Sequence, residues 1–130
     1  MAKKKPNQPT ELELLILQVL WEDAPLPVRE IRTQLAQCGR DLAHTSVITM
    51  LNIMVDKGFL KRQKEGNAFL FSPRVGRTQV SSSMTRSLID RLFGGSSAAV
   101  VQHLLETNDL DADELLEIRK LINRKVREQS

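Results

Sequence analysis

One stretch constrains the fold more than the rest of the chain: AHTSVITMLNIMVDKG over residues 43–58, followed directly by FLKRQKEGNAFLFSP. Val47, Met50, Leu51 and Met54 recur at the i, i+3, i+4, i+7 spacing of a helix with one buried face. The other face opens with His44, Thr45, Ser46, Thr49 and Asn52, short polar side chains able to hydrogen-bond base edges or phosphates. An ordinary solvent face is the competing reading. Such faces usually carry long charged residues, because Thr, Ser and Asn are poorer helix formers. Gly58 stops the helix as a C′ residue does. Phe59–Gln63 and Ala68–Ser72 then read as strands around a Lys64–Asn67 tip. A helix that can read a groove, followed by a basic hairpin, predicts the winged variant of the helix-turn-helix and a DNA-binding regulator.

Charge is uneven along the chain. The net charge is only +3. From Lys57 to Arg77, however, six bases (Lys57, Lys61, Arg62, Lys64, Arg74, Arg77) face one acid, Glu65. From Thr78 to Ser130 seven bases meet eight acids. A basic front and a near-neutral rear suit a polyanion-binding half joined to a half with another task, although a basic hairpin with no partner has the same composition. In the hairpin, Lys61, Arg62 and Lys64 are candidate phosphate contacts, with Gly66-Asn67 forming the tip.

The remaining elements follow from local signals. Residues 1–8 read as a flexible basic arm, and its Lys3-Lys4-Lys5 is adequately explained by solubility. Thr10-Glu11-Leu12-Glu13 has the form of a capping box. It opens a helix to about Glu22 with Leu12, Leu15, Ile16, Val19 and Leu20 on one face. Trp21, at the end of that face, is expected to pack against the core. Pro25 and Pro27 break this helix, and Pro27 suits position N1 of a second helix, whose Val28, Ile31 and Leu35 share a face. Cys38-Gly39 ends it, and Asp41-Leu42 is expected to form a short strand or turn.

After Pro73 the pattern becomes wholly helical. Gly76–Phe93 carries Val80, Met84, Leu88 and Leu92, and Gly94-Gly95 closes it. Ser96 or Ser97 can cap a helix presenting Val100, Val101, Leu104 and Leu105. Asp111 with Glu114 starts the last one, along which Leu115, Ile118, Ile122 and Val126 recur. The expected organisation is therefore mainly α with a small β-wing: an arm (1–8), a winged helix-turn-helix domain (9–75) and a helical rear domain (76–130). So small a rear segment struggles to bury its apolar faces alone. They pack either back onto the front or against a second copy. Two-fold symmetry base rates favour the copy, a homodimer joined through Leu92, Val101, Leu105, Leu115, Ile118 and Ile122. Such a dimer sets two reading helices about 34 Å apart, one DNA turn, on a dyad-symmetric site.

Several function classes drop out. His44 and His103 lie in different halves and Cys38 is the only cysteine, so neither a metal site nor a nucleophile–base pair can be assembled. No Gly-rich phosphate loop follows a strand. No catalytic residue, cofactor or small-molecule substrate is expected. A lone cysteine, no secretory leader and no membrane-length apolar run point to a cytoplasmic protein.

The ordered set of segments PTELELLILQVLW, VREIRTQL, AHTSVITMLNIMVDKGFL, NAFLFSP, RLFGGSSAAVVQHLLE and LDADELLEIRKLI, from about Pro9 to Lys125, resembles the penicillinase-repressor family, which also includes methicillin-resistance and copper-transport repressors. The resemblance implies a dimeric repressor of palindromic operators that blocks transcription. Its reader contacts map to Thr45, Ser46, Thr49 and Asn52, and its wing contacts fall near Lys64. Family members commonly have a basic residue where this chain has Ile53, which removes one implied phosphate contact. The chain ends KLINRKVREQS, without the cysteine-rich tail of copper-responsive members. Antibiotic-responsive members are inactivated by cleavage at an Asn–Phe bond downstream of a membrane metallopeptidase sensor. The aligned bond here is His103–Leu104, so the resemblance implies proteolytic release in that region and a sensor of that type as a partner. The runner-up function is a winged-helix protein-interaction module in a larger assembly, for which an acidic or apolar reader face is expected.

Overall fold

The computed structural model describes residues 8–130. The basic arm, Lys3-Lys4-Lys5 included, therefore lies outside the described residues apart from Gln8. The chain divides into two compact units, up to Thr85 and from Arg86 onward.

In the front unit, α1 (Glu11–Glu22) begins on the expected capping box: Thr10 Oγ1 accepts from Glu13 N–H at 3.2 Å, and Glu13 Oε1 from Thr10 N–H at 2.9 Å. Strand β1 (Leu26–Pro27), α2 (Val28–Gln37), α3 (His44–Lys57), β2 (Leu60–Glu65) and β3 (Ala68–Pro73) follow. The three strands form an antiparallel sheet in the order β1-β3-β2. Helix α4 (Arg77–Leu92) opens in this unit, and Val80 and Met84 on its first turns belong to the front core. The composition change near Pro73 thus precedes the structural division by several residues.

Ile16, Leu17, Ile31, Leu35, Val47, Leu51, Met54 and Leu60 are fully buried together. The fold is mainly α with a small β-wing, a winged helix-turn-helix. Local expectations need four corrections. Pro27 is the N-cap of α2 and pairs with Leu70, so the third strand is Leu26–Pro27. Asp41-Leu42 is irregular and forms neither strand nor turn. In α1, Leu17 is buried while Leu12 and Leu15 pack half-buried against the core, and the helix meets both α2 and β3. The wing tip is only Gly66-Asn67, with Lys64 and Glu65 inside β2.

The rear unit consists of the end of α4, then α5 (Ser97–Thr107) and α6 (Ala112–Glu128). Their caps are those expected: Ser96 Oγ accepts from Ala99 N–H at 3.0 Å, and Asp111 Oδ1 from Glu114 N–H at 2.8 Å. Not one residue of this unit is buried within the chain. Leu92 and Val126 are 70% and 60% exposed, and Val101, Leu105, Leu115 and Ile122 are exposed too, while Ile118 is half-buried.

Candidate nucleic-acid interface

Helix α3 is anchored at both ends. Its buried stripe, Val47, Leu51 and Met54, is completed by half-buried Met50. At the C-terminus Gly58 takes φ +89°, a left-handed conformation that side chains resist. That turn lets Phe59 N–H reach the Met54 carbonyl at 2.9 Å and reverses the chain into β2. Lys57, in the last turn, places Nζ 2.7 Å from Glu13 Oε2. The Glu13 side chain is only 2% exposed, and its other oxygen serves the capping box. One buried carboxylate therefore ties the start of α1 to the end of α3. The capping box was legible in the sequence, but the partner 44 residues away was not.

At its other end α3 begins on Ala43, which supplies no capping side chain. The segment before it is held by Arg32 of α2, whose Nε donates to the Leu42 carbonyl at 2.7 Å. Arg29 and Arg32 of α2 line a groove with His44 at the start of α3. These α2 residues were absent from the sequence reading, because Arg29 and Arg32 meet His44 only once α2 and α3 have packed together. His44, Thr45, Ser46 and Thr49 are all exposed on the open side of α3, and Asn52 is half-buried. Ile53 beside them is 40% exposed.

The register of the wing sorts its residues onto two faces. Direct cross-strand partners share a face. Leu60, Arg62 and Lys64 thus lie with Pro73, Phe71 and Phe69, on the side whose base, Leu60 and Phe71, is in the core. Lys61 lies opposite Ser72 on the other face, and Asn67 occupies the exposed tip. Arg62 Nη1 donates to Asn52 Oδ1 at 2.5 Å, and its guanidinium carbon sits 5.3 Å from the Phe69 ring centre. Lys64 Nζ is 6.0 Å from the same ring. The structure therefore brings Asn52 and Arg62 to each other, and Arg62 is exposed like Lys61, Lys64 and Asn67.

Trp21 packs against the core as expected and is half-buried; its Nε1–H donates to the Val75 carbonyl at 2.9 Å, and the Arg77 guanidinium carbon lies 5.0 Å from its ring centre. In the rear unit His103 and Leu104 fall in the middle of α5, with the His103 ring 5.5 Å from Phe93 and Leu104 half-exposed at 50%. Among the described residues no group of His, Cys, Asp and Glu is arranged to hold a metal ion, and no helix is long and apolar enough to cross a membrane.

A winged helix with an open polar reading face defines a class of DNA-binding architecture. The comparisons narrow the class to a family. The penicillinase repressor family model matches residues 9–124, so the chain belongs to that family, whose members are transcriptional repressors and not enzymes. It is 26% identical to a penicillinase repressor of Bacillus licheniformis over 92% of both chains. It is 22% identical to the methicillin resistance regulatory protein MecI of Mammaliicoccus sciuri, over 93% of this chain and 98% of that one. A solved structure of a Lactococcus lactis ZitR mutant aligns at a TM-score of 0.46 with 14% identity, covering 100% of this chain and 82% of that one. The chain is a DNA-binding transcriptional repressor.

Proposed function

We propose that the protein acts as a homodimer on a palindromic operator, reading base edges with Thr45, Ser46 and Thr49 of α3. His44 lies at the entry to the groove, and Lys61, Lys64 and Asn67 of the wing engage the backbone. The observation that carries this reading is the polar face of α3: its first four exposed positions, His44, Thr45, Ser46 and Thr49, are all polar, and uncharged with the histidine neutral, beside exposed wing cations. A protein-interaction module would call for an acidic or apolar face there, and Ile53 is the single exposed apolar residue on α3. Repression follows from occupancy, because a dimer seated across a promoter excludes the transcription machinery.

The apolar residues left uncovered on α5 and α6 support the homodimer. Tethering two half-site binders makes the second contact intramolecular and raises avidity by about 10²–10⁴ where the geometry fits. Release belongs to the same proposal: cleavage near His103–Leu104 by a partner of the membrane metallopeptidase class detaches the end of α5 and all of α6, with Leu105, Leu115, Ile118 and Ile122, from the reading domain. A bond inside a helix must unwind before a protease can take it, and α5 has no buried residue within its own chain to resist that opening once the second copy lets go. A repressor works where the chromosome is, and a cytoplasmic location belongs to the same proposal.

Selection from a random-sequence duplex pool, followed by footprinting upstream of its own gene, tests the reading. Enrichment of a dyad with half-sites about one helical turn apart is expected. Recovery of no sequence preference, with binding that vanishes at moderate salt, would mean non-specific polyanion contact and would end the operator assignment.

A further inference from the structure

Asn52 and Arg62 both belong by position to the surface proposed to meet DNA, yet each is already engaged. Arg62 reaches from β2 to the Asn52 carboxamide oxygen of α3 at 2.5 Å, while its guanidinium lies 5.3 Å from the Phe69 ring centre on β3. We infer that Arg62 is a positioning residue that clamps the wing to the reading helix, its planar head held by Asn52 on one element and Phe69 on another.

Three features support the clamp. The strand register puts Arg62 on the face that continues from buried Leu60 and Phe71, so its direction is set by the same alternation that builds the core. Phe69 is 45% exposed, a large ring beyond the core that serves as a platform for the cation. The described salt bridges include none to Arg62, so its recorded partners are an amide and a ring and not a carboxylate. The consequence for reading is specific. Bidentate recognition of adenine needs both the oxygen and the nitrogen of an Asn carboxamide. With Oδ1 accepting from Arg62, one of its two lone pairs is committed and the Asn52 carboxamide is oriented by the wing, so the proposal gives base discrimination to Thr45, Ser46 and Thr49. The wing angle, and therefore which phosphates Lys61 and Lys64 can reach while α3 is seated, is set at this junction.

The inference rests on the DNA-binding reading for its effect on function, so its test has one arm with DNA and one without. In the first, Asn52→Ala, Arg62→Lys and the double variant are titrated against the selected operator and its single-base-pair variants at several salt concentrations. Circular dichroism melts confirm that each variant folds. Lysine keeps the charge but lacks the planar fork and its stacking. Each single variant is expected to lose roughly threefold to tenfold in affinity. The double variant should lose no more than the worse single one, with the salt slope and the ranking of base-pair variants unchanged. Wild-type binding by Arg62→Lys would make Arg62 a plain phosphate contact. Additive losses, or a relaxed preference at one base pair in Asn52→Ala alone, would make Asn52 an independent reader. Either result overturns the clamp.

In the second arm, NMR of the free protein reads the junction directly. The Arg62 δ-methylene protons should be shifted upfield by the Phe69 ring and the Nε–H exchange slowed, and both signs should fade in Asn52→Ala. Their absence from the wild type overturns the clamp. Their presence in a chain indifferent to operator sequence supports the clamp and overturns the DNA reading.

Discussion

Thr49 is where the proposed reading is most exposed to refutation, because it stands on the open side of α3 while its neighbours Val47 and Leu51 are fully buried. Thr49→Ala removes a hydroxyl without touching the core, and a loss of about 1–3 kcal/mol on the operator is expected if the contact is to a base. Unchanged operator affinity in both Thr45→Ala and Thr49→Ala, measured by fluorescence anisotropy, would remove these residues from the reading face. Lys57 tests a different property. Its ammonium stands 2.7 Å from a carboxylate that is 2% exposed, so Lys57→Met leaves Glu13 with the Thr10 amide as its remaining recorded donor. We expect stability to fall by about 1–3 kcal/mol in urea unfolding, as for a buried acceptor deprived of a charged partner. A change within about 0.5 kcal/mol, the scatter of ordinary surface substitutions, would show that the pair contributes little.

At the scale of elements, the wing should supply affinity with little discrimination. Lys64→Ala is expected to weaken operator and random DNA alike and to flatten the plot of log affinity against log salt by about one unit. An altered sequence preference at constant slope would make Lys64 a reader instead. This contrasts with Arg62→Lys, for which no slope change is expected. How far the elements were legible depended on range. Helix α3 stood out because its buried stripe, polar face and terminating Gly58 are local signals, each complete within a few residues. The caps at Thr10, Ser96 and Asp111 were legible for the same reason. Strand β1 was hidden because two residues carry no alternation, and its pairing with Leu70 and Phe71 spans the whole reading domain. The Glu13–Lys57 and Asn52–Arg62 pairs were hidden likewise: each joins side chains that meet only once separate helices and strands have packed. Residue type at the site was therefore readable, while the partners of Asn52, Arg62 and Glu13 were not.

For the molecule as a whole, the proposal stands or falls on association through the rear unit. Ile122 is 49% exposed within the chain, so an aspartate there disturbs no core of its own chain. In the proposed interface the same carboxylate would be buried without a partner. Ile122→Asp should therefore sediment as a monomer and lose most of its operator affinity while retaining helical circular dichroism from the front unit. A dimeric Ile122→Asp protein, or a monomeric wild type at micromolar concentration, would rule out this interface.

The lack of any buried residue from Arg86 to Ser130 has a further consequence, which concerns abundance. If these helices obtain their only dry surface from a second copy, their folding obeys mass action, and the midpoint of their thermal unfolding should climb as the protein is concentrated. The front unit carries its own core and should melt independently of dilution. Monomers would then offer loosely held rear segments to housekeeping proteases, and each chain's survival would depend on how many others are present. Scarcity would shorten the repressor's life as well as empty its operator, so a falling supply would tend to clear itself.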